Sequence, residues 1–430
     1  MTSAPGRDRV FALGLDGAPH SLLADLAARG VMPRLARLIS TGTFLPMESS
    51  IPEISSVAWT SLVTGVDPGT HGIYGFVDLD PDGYRMVFPN ATAVKAPAVW
   101  DDLGARGRRS IVVNVPSTYP ARPIHGILIA GFVAINLERA VTPVSLVPML
   151  RGMGYRIDVD TARARGDLAT LADDLKETLA ARVAVVEKLM AEEPWDFFCA
   201  AITETDRLHH FFWDAYADAA HPYHGFFLDF YRGIDDWIGS LADRLDARTT
   251  FLMFSDHGFT GIVREVHLNA WLRDEGYLVL SRDDADAFEA LDERTRAFAL
   301  DPSRIYVHAR GRWPRGAVGA GAEREALVRE IAAKALAIPG IDGRPIVERV
   351  HRGEDLYHGP RAALAPDLVL VPRRGYDLKG ALGRPTLLGR SSLVGMHTWD
   401  DAMFYSSRPF SPGRAMNVTD VKRVILDFSG

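Results

Sequence analysis

The sequence predicts an α/β protein built on a doubly wound, mostly parallel sheet, with helices on both faces and a smaller inserted cap region. Three observations lead there. Val10–Gly17, Ser110–Pro116, Gly126–Gly131, Asp196–Ile202 and Phe251–Ser255 are each built on a continuous apolar run of strand length, the pattern of strands buried on both faces. Between them lie longer segments with apolar residues at helical spacing, and this alternation marks βαβ units. Several of the runs also end in residues that carry chemistry, as parallel strands do at a ligand-binding rim.

The first run ends in Leu15-Asp16-Gly17. Ser21-Leu22-Leu23 and Leu26 set the apolar face of a helix, and Met32 to Ile39 continues it after Gly30. A short helix from Val57 turns Trp59, Leu62 and Val63 inward, with Ser55 and Ser56 at its start. Serines there are common caps, because the side-chain oxygen accepts a free amide N–H. A hydroxyl at a helix N-terminus is also well placed to become an anion. Asp67 to Gly72 reads as a turn in which His71 is structural, and Tyr74 to Val87 as a loop and hairpin turning at Pro81-Asp82-Gly83. A helix from Pro97, containing Trp100 and Leu103, feeds the strand at Ser110.

Residues 165–192 form a long amphipathic helix ahead of the strand that ends at Ile202. Past that strand, Asp206 and His210 lie four apart and face one side of a helical turn, with His209 as a competitor. A helix of roughly Tyr223 to Leu245 leads to Phe251-Leu252-Met253-Phe254-Ser255-Asp256-His257-Gly258. An adjacent carboxylate and imidazole at a strand's carboxyl end suit a divalent metal such as Zn²⁺. Asn269 to Leu280 reads as a helix and short strand, Asp284 to Leu300 as charged and exposed, and Ile305–Val307 as a strand. Glu323 to Leu336 is a helix, Pro366 to Pro372 a strand, and His397 stands in a Gly-Met-His loop. Gly and Pro are spread through turns, so 1–430 reads as a single catalytic domain with 259–390 partly an insertion or cap.

Hydrophobic content of 47% and charged content of 24% belong to an ordinary globular chain. A net charge of -7 gives no basic footprint for a nucleic acid polymer or an acidic membrane surface. The one cysteine, Cys199, sits in an apolar run and reads as an inert core thiol. Met1 to Arg9 has no apolar signal-like stretch, and no run reaches membrane-spanning length, so the expected location is cytoplasmic.

The collected candidates are Asp16, Ser55, Asp206, His210, Asp256, His257 and His397. They fall within Leu-Asp-Gly at 15–17, Asp-x-x-x-His at 206–210, Ser-Asp-His-Gly at 255–258 and Gly-x-His at 395–397, with Ser55 ahead of Ser-Leu-Val-Thr-Gly at 61–65, Pro68 and His71-Gly72. Five motifs in this order resemble the alkaline phosphatase superfamily, in its type I phosphodiesterase and nucleotide pyrophosphatase branch. Asn114-Val115-Pro116-Ser117-Thr118-Tyr119-Pro120 is similar to the predicted phosphohydrolase or phosphomutase group of that superfamily.

The resemblance implies an alkaline-phosphatase-like fold and two divalent metal ions, usually Zn²⁺, with Mn²⁺ or another divalent ion as alternatives. One ion would be held by Asp16, Asp256 and His257, the other by Asp206, His210 and His397. Ser55, six residues before the Ser-Leu-Val-Thr-Gly motif, falls on the nucleophile position, with Ser56 as fallback. Its hydroxyl must sit against one ion to become a competent nucleophile. The implied reaction is hydrolysis of a small phosphate ester, a nucleotide among the candidates, through a seryl-phosphate-type intermediate.

Two departures stand out. The family's phosphate-binding Asn, twenty-one residues past the nucleophile, is Phe76 here, so Asn90, Lys95 or a backbone amide would take that contact. The nucleophile is Ser where Thr is common. The Pro and Arg of a sulfatase signature are missing after Ser55. A phosphomonoesterase or phosphomutase would need a cationic cluster for a phosphate dianion, for which Arg304, Arg310 and Arg312 are candidates. A non-catalytic phosphoryl-ligand-binding relative would have no need of a complete metal set and a hydroxyl.

Overall fold

The computed structural model describes residues 8–80, 82–160, 167–282 and 287–430. Pro81, the first two residues of the long helix expected at 165–192, and residues 284–286 lie outside the described residues. The chain divides into two compact units. One comprises Met1–Val66, Asn90–Thr260 and His397–Gly430, the other Asp67–Pro89 and Gly261–Met396.

The first unit is organised on a nine-stranded sheet. Its strands are β1 (Arg9–Leu15), β2 (Thr43–Glu48), β3 (Ser110–Val115), β4 (Gly126–Ala130), β5 (Val141–Thr142), β6 (Phe197–Ile202), β7 (Thr249–Phe254), β8 (Ala402–Ser406) and β9 (Met416–Asn417). Their order across the sheet is β9-β2-β8-β7-β1-β6-β3-β4-β5. The five central strands from β7 to β4 run parallel, while β8 and β5 join them antiparallel. β2 and β8 escape the sequence pattern. Pro46 interrupts β2, and it is tolerated because the next strand, β9, pairs only with Met47 and Glu48, leaving Pro46 on an open edge.

Eight helices matter to the site: α1 (His20–Ala28), α2 (Pro33–Thr41), α3 (Ser55–Thr64), α4 (Val99–Ala105), α5 (Leu168–Glu192), α6 (Glu204–Ala217), α7 (His224–Arg244) and α8 (Val421–Phe428). Side chains alternate across β1. Val10 and Ala12 join Trp59, Leu62, Trp100, Leu103 and Val424 in one buried cluster, under α3, α4 and α8. Phe11 points the other way, stacking on Phe198 at 4.9 Å. Every residue of α3 is buried, so this helix lies inside the unit rather than on it.

Between α5 and α6 lies an ion pair with no exposure to solvent. Arg182 of α5 bonds Glu204 through Nε at 2.8 Å, and the two side chains are 0% and 1% exposed. Arg182 also donates to the Ile157 carbonyl and the Tyr155 hydroxyl, both at 3.0 Å. Burial opposes the charge, but Glu204 holds the guanidinium above its ordinary range.

The second unit has its own core around Phe298, Tyr306, Trp313, Ile331 and Leu370. A four-stranded antiparallel sheet takes its strands in the order Ala297–Leu300, Arg304–Val307, Leu368–Pro372 and Val347–Arg352. The stretch expected to be charged and exposed before Leu300 is instead buried from Ala297 onward, and Phe288 and Leu291 are buried too. Charged neighbours dilute the average there, yet the Ala-Phe-Ala-Leu run pairs as a strand and Phe298 stacks on Tyr306 at 5.7 Å. Residues 67–89 belong to this unit because Arg304, fully buried, bonds Asp78 and the Val77 carbonyl, each at 2.6 Å. No helix among the described residues is long and apolar enough to cross a membrane.

Removing one partner of a buried ion pair strands the other charge in a low-dielectric interior. Arg182→Met is therefore expected to lower the unfolding free energy by about 3–5 kcal/mol in urea denaturation, and Glu204→Gln in the same background to restore part of it.

Candidate active site

The site grows from strand register. Leu15 pairs with Ile202 and Gly14 with Phe254, so β1, β6 and β7 end level. Whatever follows them is delivered to one rim. Asp16 follows β1, and Asp256 and His257 follow β7. Gly17 adopts φ 62°, and a Cβ there would lie 2.9 Å from the His257 ring, so a side chain is refused on two counts. The Gly17 amide then donates to Asp256 Oδ1 at 3.1 Å. Within β1, a Cβ on Gly14 would meet Trp59 at 2.2 Å. The bare strand lets Trp59 lie against it, and Trp59 Nε1 donates to Asp16 Oδ2 at 3.1 Å. Ser55 opens α3, with Oγ 3.2 Å from His257 Nε2.

A second group joins from α6 and from a short strand, Gly395–Thr398, which replaces the loop expected around His397. Asp206 and His210, one helical turn apart, bring Oδ1 and Nε2 to 3.4 Å. His397 Nε2 stands 3.1 Å from each of them. Its Nδ1 donates to the Glu53 carbonyl at 2.8 Å, which turns Nε2 into the group. His257 is oriented the same way, with Nδ1 3.0 Å from the Gly258 carbonyl. Phe259 packs its ring against His210 and His397, at centroid distances of 4.9 and 5.2 Å. His209 takes no part. Its two nitrogens engage the Gly17 carbonyl at 3.0 Å and the Tyr231 hydroxyl at 2.7 Å.

The two groups are one cluster. His257 Nε2 lies 3.4 Å from Asp256 Oδ2, 3.6 Å from Asp16 Oδ1 and 4.0 Å from Asp206 Oδ1. Asp206 thus faces both sets, alongside His210 and His397 and again alongside Asp16 and His257. All three carboxylates are buried. Burial first, then Asp256 and Asp206, pushes Asp16 well above the usual carboxylate range. Burial raises Asp256 to about 7. Asp206 is held well below its usual range despite burial, by His210, His397 and Arg207. Burial and His397 keep His257 neutral.

Asp16 Oδ1 and Asp256 Oδ2 are buried with no hydrogen-bond donor among the described residues. Orphaned carboxylate oxygens facing imidazole lone pairs form a poor protein interior. They are a good donor set for divalent cations, because mixed oxygen and imidazole ligands suit Zn²⁺ and its charge compensates the carboxylates.

Other candidates stand elsewhere. Asn90 Oδ1 accepts from Thr92, and exposed Lys95 donates to the Thr92 carbonyl at 3.1 Å; among the described residues neither bonds to the cluster. Ser56 Oγ is buried without a hydrogen-bond partner among the described residues, and its carbonyl accepts from Thr60. His71 is fully buried, accepts from the Ile73 amide, and is pushed by burial to about 3, a neutral structural histidine. Cys199 is a core thiol that burial pushes up to about 12. Three contributors were not apparent in the sequence: the Trp59 N–H, the Gly17 amide and Arg207, whose Nη1 lies 3.0 Å from Asp206 Oδ2. The first reads as core and the second has no side chain; only Arg207, beside a candidate ligand, left a signal.

Residues 10–400 match the family model described as type I phosphodiesterase / nucleotide pyrophosphatase. Among solved structures, phosphonoacetate hydrolase from Sinorhizobium meliloti is similar at a TM-score of 0.66 and 18% identity, over 99% of this chain and 96% of that one. Murine ectonucleotide pyrophosphatase / phosphodiesterase 5 gives a TM-score of 0.56 and 14% identity, over 97% and 94%. Wild-type alkaline phosphatase PafA gives 0.60 and 13%, over 99% and 96%. These likenesses establish an alkaline-phosphatase-like fold. With about nine-tenths of its length matched by the family model, the chain belongs to the type I phosphodiesterase / nucleotide pyrophosphatase family of the alkaline phosphatase superfamily.

Proposed function

We propose that the protein is a di-metal phosphodiesterase or nucleotide pyrophosphatase that works through a covalent adduct on Ser55. The observation that carries this is Ser55 Oγ at the N-terminus of a buried helix, 3.2 Å from His257 Nε2 and beside two sets of oxygen and imidazole donors. Asp16, Asp256 and His257 would hold one ion, with Ser55 against it, and Asp206, His210 and His397 the other. Zn²⁺ is the ion these donors suit best. When bound, such a pair supplies Lewis-acid stabilisation of the phosphoryl oxygens and favours the ionised serine.

The chain's own groups do the rest. The N-terminus of α3 favours negative charge at Ser55, through the helix dipole and its first amides. Ser55 Oγ forms a bond to phosphorus as the bond to the leaving oxygen breaks, and that oxygen takes up a proton. Water then adds to phosphorus, the phosphorus–Oγ bond breaks, and Ser55 regains its proton. The Nδ1 bonds of His257 and His397 to backbone carbonyls keep both rings aimed inward throughout. Phosphonoacetate and AMP, bound in structures similar to this one, support a small phosphorus oxyanion as substrate.

A monoesterase or mutase remains the second reading, but Arg304 gives it little support. That guanidinium is already committed to Asp78, Tyr306 and the Val77 carbonyl, so it has little left for a phosphate dianion.

A nitrophenyl phosphodiester is expected to turn over faster than the matching monoester, and a chelator to stop both. Ser55→Ala should lower kcat by at least about 10³-fold while zinc still binds. Hydrolysis at the wild-type rate by Ser55→Ala would remove Ser55 as nucleophile and move attention to Ser56.

Trp59→Phe keeps much of the ring's bulk and deletes its bond to Asp16. Zinc affinity, measured by competition with a chromophoric chelator, should weaken about 10- to 100-fold. Unchanged affinity would mean that the Trp59 bond does not orient a metal ligand.

A further inference from the structure

Arg207 is the one cation in direct contact with the cluster carboxylates among the described contacts, and its placement is unusual. Neighbouring residues on a helix point about 100° apart, so adjacent side chains do not normally face each other. Yet Arg207 reaches back to the residue before it, with Nη1 3.0 Å from Asp206 Oδ2. Something outside the helix must hold it there.

Asp158 does so. Arg207 Nε lies 3.2 Å from both oxygens of Asp158, and Nη2 lies 2.7 Å from Oδ2. The guanidinium also lies over the Phe132 ring at 4.6 Å. Asp158 is itself fixed, because Arg182 donates to the preceding carbonyls of Arg156 and Ile157 at 3.4 and 3.0 Å. Arg182 in turn grips Glu204 at the head of α6, the helix that carries Asp206. The segment bearing Asp158 is thus tied to α6 at two points.

The consequence appears at Asp206. Its Oδ2 is taken by Arg207, which leaves Oδ1 facing His397, His210 and His257 at 3.1, 3.4 and 4.0 Å. We infer that Arg207, clamped by Asp158, is a positioning residue that fixes the Asp206 carboxylate so that Oδ1 stays turned into the donor cluster, where it would serve as a metal ligand. Its Nε, Nη1 and Nη2 are all engaged by these two carboxylates, which fits an orienting role better than direct contact with substrate. The inference rests on the di-metal reading above.

The test compares Arg207→Met, Arg207→Lys and Asp158→Asn in the full-length protein, with zinc affinity read by chelator competition and kcat and KM measured at saturating zinc. Arg207→Met should weaken the lower-affinity zinc site about 10- to 100-fold, the cost typical of losing a group that orients a ligand. Arg207→Lys should recover part of this, since it keeps the charge but loses the fork that spans two carboxylates. Asp158→Asn, which lies outside the cluster, should move zinc affinity in the same direction, with KM within about threefold of wild type. Should Arg207→Met fail to fold by circular dichroism, Asp158→Asn carries the test alone. Unchanged zinc affinity in the folded variants would overturn the inference. A tenfold rise in KM with zinc affinity intact would overturn it too, and would make Arg207 a substrate-binding group. Failure of the wild-type protein to take up zinc would count against the di-metal reading itself, before any variant is compared.

Discussion

Crowded negative charge at one sheet rim is the constraint on which the rest depends. Level parallel strands deliver Asp16 and Asp256 side by side, and α6 adds Asp206 within reach of the same imidazole. Bringing three carboxylates together away from water is strongly unfavourable unless positive charge joins them. Most of the surrounding detail works to hold this arrangement in place. The Gly17 amide and the Trp59 N–H each bind one oxygen of a carboxylate, and Arg207 binds one oxygen of the third. In each case the other oxygen is left for the centre.

The histidines are sorted by the partners each ring finds. His257 and His397 each commit Nδ1 to a backbone carbonyl and present Nε2 to the cluster. His209, adjacent in sequence to His210, commits both nitrogens elsewhere. Neighbouring histidines of the same type therefore stand in different surroundings, His210 in the cluster and His209 outside it.

Much of this was legible in the chain. Continuous apolar runs give the central strands directly, because a strand covered on both faces has no polar side to show. Asp16, Asp206, His210, Asp256 and His257 could be grouped because they follow such runs, and residues that follow parallel strands share a rim. Ser55 and His397 follow no central strand and were reached through family resemblance. What stayed hidden depends on pairing across the chain. The strand at Ala402–Ser406 and the Pro-containing strand at Thr43–Glu48 exist because they pair with each other and with the sheet. The bond from Trp59 to Asp16 spans 43 residues, and no local pattern marks an indole N–H as anything but core.

That indole joins two properties usually kept apart. Trp59 is completely buried between α3 and a strand that must be glycine at position 14, and its nitrogen is an inner support of the site. Ordinarily a core can be repacked at modest energetic cost while the active site goes untouched. Here, a small shift in the packing around Trp59 is transmitted to an oxygen of Asp16. The hydrophobic core on this face of the sheet therefore doubles as the alignment jig of the carboxylate cluster, and its freedom to vary in sequence is set by that bond as well as by stability.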